Sequence, residues 1–201
     1  MSAISNNICE TSNQIGIYVT SSSFLSVLGN SCNNNPTGIS FSTTSYSTLS
    51  SNSTNGCGTR GIGLSASTYN AINGNVSTNG AIGVSLETTC DNNSVSGNNF
   101  GVNSLAGIYM VDADRNTITA NNCINNGTGI LLSSTNKLNT ISGNTCIRGT
   151  GTAGNYEAGE YTIKVNGTTN DNNLIDGNNC MGKAPTVDGG TSNTNTNNKS
   201  A

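Results

Sequence analysis

A short phrase, apolar–x–small–Asn, recurs along the chain with its apolar member at Ile4, Val27, Leu49, Ile72, Val95, Ile118, Ile141 and Ile175. Successive spacings are 23, 22, 23, 23, 23, 23 and 34 residues, so only the last step breaks the rhythm. A second phrase, usually opened by Gly, alternates apolar and other residues in the pairs Ile17/Val19, Ile39/Phe41, Ile62/Leu64, Val84/Leu86, Ile108/Met110, Ile130/Leu132 and Ile163/Val165. Alternation at period two is the pattern of a strand with one face inward, and the gaps between phrases leave no room for a crossover helix. One such unit cannot bury its own apolar face, whereas stacked units cover one another. The pattern therefore predicts an all-β fold, a right-handed parallel β-helix of about eight coils with about 23 residues per coil. With rungs about 4.8 Å apart, eight coils make a rod of roughly 40 Å.

Three residues after each apolar member of the first phrase stands Asn: Asn7, Asn30, Asn52, Asn75, Asn98, Asn121, Asn144 and Asn178. An amide carries both donors and an acceptor, so identical Asn side chains on successive rungs can bond up and down the stack. Asn also tolerates the left-handed backbone that a sharp turn demands. These residues are read as a structural ladder.

Composition changes the picture less than the period does. Asn, Ser, Thr and Gly dominate, 8% of the residues are charged and 32% are apolar. Such polarity alone would fit a disordered chain, but the net charge is only −3 and the apolar period is strict. Seven Lys and Arg provide no basic field for a phosphate backbone, which argues against nucleic acid. No apolar run is long enough to span a bilayer, and Met1 to Asn7 lack the charged and apolar regions of a signal peptide.

Five of the seven Cys share one column, five residues after the strand apolar: Cys9, Cys32, Cys123, Cys146 and Cys180, with Thr54, Ser77 and Phe100 at the remaining places. In-register side chains on neighbouring rungs point in parallel, which disfavours disulfides, so free buried thiols are expected. Metal-ligand spacing of the Cys-x-x-Cys kind is absent and the chain has no His, so no structural zinc site is expected. Cys57 and Cys90 fall outside the column and have no assigned role.

Charge is so scarce that its clustering carries information. Glu87 and Asp91 in one coil stand near Asp112, Asp114 and Arg115 of the next, which would place all five on one edge of the rod. Acids gathered from adjacent rungs suit glycoside hydrolysis or calcium ligation, no other cofactor being implied; the plainer reading is a solvated turn with its acids paired to Arg115 and Lys137. Along the same edge Phe24, Tyr46 and Tyr69 occupy equivalent places in three successive coils, with Arg115 two coils on. Flat rings along a groove suit the apolar faces of sugars, and the alternative is that they shield a corner. The outward pairs Thr48/Ser50, Ser94/Ser96, Thr117/Thr119 and Thr140/Ser142 also raise an ice-binding surface, but Ala71/Asn73, Ser26/Leu28 and Leu174/Asp176 interrupt the array.

The strings NTITANNC, NTISGNTC and GTGILLSSTNKLNTISGN resemble the repeats of right-handed β-helix proteins, the group of pectate lyases, periplasmic NosD-type proteins and bacteriophage tailspikes. The likeness covers residues 4 to 180, and the stretch from Cys146 to Lys183 is similar to the C-terminal end of β-helix proteins from phage tails. It implies contact with a polysaccharide or cell-surface glycan, an extracellular, virion or cell-surface setting, and trimeric assembly as in tailspikes. It carries over no catalytic residue, because no stretch matches the Asp cluster and basic residue of pectate lyases.

The expected organisation is a β-helix over residues 1–185, with a loop inserted at Thr150 to Tyr161, followed by a polar, frayed last rung or tail at 186–201 where Asn195 stands near the strand-apolar place. Ile4 is already in register, so fusion to, or stacking with, another domain at the N-terminal end is expected. The leading functional expectation is a non-catalytic carbohydrate- or receptor-contacting domain. A polysaccharide-degrading enzyme of the same fold, a structural spacer that self-associates end to end, and an ice-binding protein are the alternatives.

Overall fold

The computed structural model describes residues 2–147, 161–181, 186–187 and 192–200. The inserted loop expected at Thr150 to Tyr161 lies outside these residues except for Tyr161, which begins a strand. All described strands pair in parallel, each with its counterpart one coil away. A nine-stranded sheet stacks the short strands Ser2–Ser5, Leu25–Leu28, Thr48–Ser50, Ala71–Asn73, Ser94–Ser96, Thr117–Thr119, Thr140–Ser142, Leu174–Asp176 and Thr194–Thr196. An eight-stranded sheet stacks the longer ones, Ile15–Thr20, Thr37–Ser42, Arg60–Ser65, Ile82–Glu87, Ala106–Val111, Thr128–Ser133 and Tyr161–Asn166, ending on Thr186–Val187. A third, three-stranded sheet comprises Ser53–Asn55, Val76–Thr78 and Asn99–Gly101. This is the expected right-handed parallel β-helix.

Register is set by the apolar column. Ile4 pairs with Val27, Val27 with Leu49, and so on to Ile141 with Ile175, and a last step pairs Ile175 with the polar Asn195. A shift of one residue would turn each of these side chains from core to solvent, so burial holds the stack in phase. From Val27 to Ile175 the column is fully buried, as are both inward residues of the long strands from Ile39/Phe41 to Ile163/Val165. The Cys column closes the third side of the core: Cys32, Cys123, Cys146 and Cys180 are buried, Cys9 at the first rung is partly open, and all seven Cys are free thiols.

The Asn column forms the expected ladder. Nδ2 of each Asn donates to Oδ1 of the next, from Asn30 to Asn52 at 2.9 Å through Asn144 to Asn178 at 3.0 Å, and the ladder runs one rung further to Asn198 at 2.8 Å. The same Oδ1 also accepts the backbone N–H of the preceding ladder residue, and Nδ2 reaches back to a strand carbonyl, as Asn52 does to Val27 at 3.0 Å. Each buried amide thus satisfies donors and acceptors at a turn where no strand pairing is available.

Three further columns do the same work at the other turns. Asn70, Asn93, Asn116, Asn139 and Asn173 link Nδ2 to Oδ1 in series, with Ser47 heading the column and Asn193 ending it. Asn103 and Asn126 form part of another, in which Asn35 donates to the Cys9 carbonyl at 2.8 Å. Cys57 occupies the same column and its Sγ donates to the Cys32 carbonyl at 3.3 Å, so a thiol replaces the amide there. Cys90 stands in the fourth column, where its Sγ accepts the Ser67 N–H at 3.4 Å, between rungs filled by Ser67 and Ala113, whose own N–H donates to Asn136 Oδ1. Both Cys left unassigned by the sequence are therefore ladder members.

At the start of the long strands a column of Gly lets the chain pass close to the next turn. A Cβ on Gly83 would lie 2.5 Å from the Gly107 carbonyl and 2.8 Å from Cβ of Phe100, the large residue that fills the Cys column on that rung.

Candidate functional site

The corner before the nine-stranded sheet displays outward side chains at Phe24, Tyr46, Tyr69, Asn92, Arg115, Leu138 and Asn172, all with left-handed backbone, φ between 52° and 58°. Such a conformation is costly for non-Gly residues. It persists here because from Phe24 to Leu138 the N–H still reaches a carbonyl of the next rung, as Tyr46 does to Thr68 at 3.2 Å and Arg115 to Lys137 at 2.9 Å. Pairing across rungs holds the turn open and makes it present one side chain per rung.

On the first three rungs those side chains are aromatic and half exposed. Phe24 and Tyr46 stack at 5.4 Å between centroids with planes 12° apart, and Tyr46 and Tyr69 at 5.0 Å with planes 4° apart. The expected row of rings is present, but the rings lie on one another, so both faces of Tyr46 are covered. Ring edges line a groove of about 450 Å³ whose other wall carries Thr48, Ala71 and Ser94. Asn70 and Asn92 add amides to it.

The acidic edge divides. Asp91 Oδ1 accepts the Asp114 N–H at 2.8 Å, and Asp114 Oδ1 accepts the Lys137 N–H at 2.7 Å. Asp112 Oδ1 takes the Ser134 hydroxyl at 3.0 Å and the Thr135 N–H at 3.2 Å. Each carboxylate thus bonds to the following rung. Arg115 Nη2 approaches Asp91 Oδ2 at 3.6 Å, and Lys137 contributes its backbone N–H to Asp114.

Glu87 parts company with this group. It closes a long strand and meets Arg60, whose Nε and Nη2 donate to its two carboxylate oxygens at 2.7 and 2.8 Å. Sequence reasoning passed over Arg60; the signal was that Arg60 opens, and Glu87 closes, paired strands one coil apart. The bidentate pair overhangs Gly63 and Ser85, which line a second hollow of about 270 Å³ on the outer face of the eight-stranded sheet.

Stacked parallel strands, in-register Asn ladders and outward grooves define the class of right-handed parallel β-helix proteins. Within it, the family model described as periplasmic copper-binding protein (NosD) matches residues 1–182, and the chain belongs to that family. Among solved structures, the Azotobacter vinelandii mannuronan C-5 epimerase AlgE6 A-module superposes with a TM-score of 0.84 at 16% identity, over 99% of this chain and 57% of that one. The periplasmic alginate epimerase AlgG gives 0.78 at 20% identity, over 93% of this chain and 47% of that one. The Dettilon tailspike protein gives 0.53 at 15%, over 98% and 58%. The chain therefore spans about half the length of these proteins, and the likeness is one of fold. No curated protein matches the chain by comparison.

The copper in the family's description can be tested against the side chains. The chain has no His, and among the described residues no three His, Cys, Asp or Glu side chains stand together as a metal-holding group. Burial pushes the thiols of Cys32 and Cys180 up to about 12 and that of Cys90 to about 11, which keeps them protonated and poor as ligands at neutral pH. The described residues do not fit a copper centre.

Proposed function

We propose that this chain is a non-catalytic, carbohydrate-contacting β-helix of a cell-surface or phage-tail protein, working outside the cytoplasm. The observation that carries the reading is the groove beside Phe24, Tyr46 and Tyr69. It is built on rigid, repeating backbone, so an extended glycan lying along the rod meets the same kind of wall on three successive rungs. Ring edges and the tyrosine hydroxyls face it from one side, continued by the Asn92 amide on the next rung, and Thr48 and Ser94 offer hydrogen bonds from the other, the mixture of apolar surface and placed polar groups that sugars need. Membership of a family described as periplasmic, and a fold shared with mannuronan and alginate epimerases and a tailspike, support a saccharide partner and an exported setting. The acids of the edge are engaged with the next rung's backbone, which favours binding over catalysis.

The test is retention on a glycan array, followed by a turnover assay on every glycan retained. Binding without release of reducing ends or unsaturated uronides is expected, and Tyr69→Ala should weaken it by about tenfold or more, as loss of a central aromatic contact does. Unchanged retention by both Tyr46→Ala and Tyr69→Ala would overturn the groove, and turnover would make the chain an enzyme.

A further inference from the structure

The hollow on the outer face of the eight-stranded sheet has features that its ion pair does not account for. Along the central outward column the side chains run Tyr18, Ser40, Gly63, Ser85 and Tyr109 in register, so three small residues leave a notch between two tyrosines. Because Gly63 has no side chain, Arg60 can lie across the strand; a Cβ there would stand 3.0 Å from Arg60 Cδ and 3.6 Å from Ser85 Oγ. Arg60 then reaches Glu87 on the next rung and roofs one side of the notch. Beneath it Ser85 is wholly buried although its position points outward, and its hydroxyl has no hydrogen-bond partner. A buried, unpaired hydroxyl lining a hollow is unfavourable unless something enters to bond it.

We infer that this notch binds a single neutral pyranose unit of a glycan, with Ser85, Arg60 and Glu87 as its polar contacts. The inference takes its ligand class from the carbohydrate-contacting reading but rests on different residues and a different face of the rod. The hollow of about 270 Å³ lies just below the roughly 300 Å³ at which drug-sized pockets begin, so it suits one sugar ring. A sugar ring carries adjacent hydroxyls that both donate and accept. Glu87 accepts, the remaining guanidinium N–H groups of Arg60 donate, and Ser85 does either. The ion pair is neutral as a unit. A uronate would bring its carboxylate against Glu87 and gain Arg60 only by breaking a bidentate contact, so the site selects neutral sugars over acidic ones.

The experiment is a titration of the ¹⁵N-labelled chain with maltotriose, cellotriose and mannotriose, and separately with trigalacturonate. At least one neutral trisaccharide should shift the Arg60 Nε–H and the amides of Gly63 and Ser85, while trigalacturonate leaves them in place. Ser85→Ala should weaken that binding about fivefold and leave the melting temperature unchanged or raised, because it removes a hydroxyl that the free protein leaves unpaired. Gly63→Val fills the notch and should abolish the shifts. The inference is overturned if no neutral trisaccharide moves these resonances, if trigalacturonate binds as well, or if Ser85→Ala binds like the parent. Shifts confined to Ala71 and Asn92 would overturn this site and leave the groove beside Tyr69 standing.

Discussion

Replacing one amide in the middle of the Asn ladder should cost far more than its size suggests, and Asn98→Ala is the sharpest case. Asn98 is 2% exposed. Its Nδ2 donates to Asn121 Oδ1 at 2.9 Å, to the Ile72 carbonyl at 3.0 Å and to the Ser96 carbonyl at 3.1 Å. Its Oδ1 accepts both the backbone N–H and the Nδ2 of Asn75, at 2.9 and 3.0 Å. Truncation leaves the buried Asn75 N–H without that acceptor, which costs roughly 1–3 kcal/mol, and forfeits the donated bonds at a net value of about 1 kcal/mol each, less where another donor moves in. A total of about 3–5 kcal/mol follows, a large share of the ~5–15 kcal/mol that stabilises an ordinary domain. Asn7 provides the comparison, because it lies exposed on the first rung and, among the described residues, its side chain accepts no bond from a preceding one. Asn7→Ala should cost less than about 1 kcal/mol, the range of exposed hydrogen bonds. Urea unfolding followed by far-UV circular dichroism reads both, as a drop in midpoint at constant slope. Equal losses for the two variants would refute the reasoning, since burial, the accepted bonds and the bond donated back to the previous strand are what separate them.

Two other outcomes follow from the packing. Burial raises the thiols of Cys32 and Cys180 to about 12 and that of Cys90 to about 11, above their unfolded value near 9.0. For groups raised in the folded state the protonated form is favoured by folding, so melting temperature should be level below pH 8 and fall as pH climbs through 9 towards 11; a profile that is flat across that window would contradict the burial of these thiols. Gly83→Ala, which drives a Cβ against the Gly107 carbonyl and Phe100, should cost about 2–4 kcal/mol in the same urea assay, and a neutral result would mean that this strand start has room to move.

Much of the rod was legible before any coordinates. The apolar column, the paired inward residues of the long strands and the ladder from Asn7 to Asn178 all recur at the same step, and in a solenoid a residue's neighbour up the stack is the residue one period away. The second Asn column was equally readable, since Asn70, Asn93, Asn116, Asn139 and Asn173 each stand two places before a strand apolar. So were Cys57 and Cys90, which keep the register of columns otherwise filled by Asn, Ser and other residues. Residue type alone hides them, because the fold keeps position rather than chemistry from rung to rung.

What the period determined, then, is which residues share a column: the β-helix, its core and its ladders, because backbone pairing between rungs admits one register when one face must be buried. Only the tertiary structure decided what each outward side chain does with its neighbours. Phe24, Tyr46 and Tyr69 turn their faces to one another and show the groove their edges. Asp91 and Asp114 spend an oxygen on the next rung's backbone, while Glu87 leaves them for Arg60 across a strand made passable by Gly63. The physical reason is that a column places side chains about 5 Å apart, close enough for stacking, capping or an ion pair alike. Rotamer, local space and competing partners choose among these, and none of them is written in the repeat.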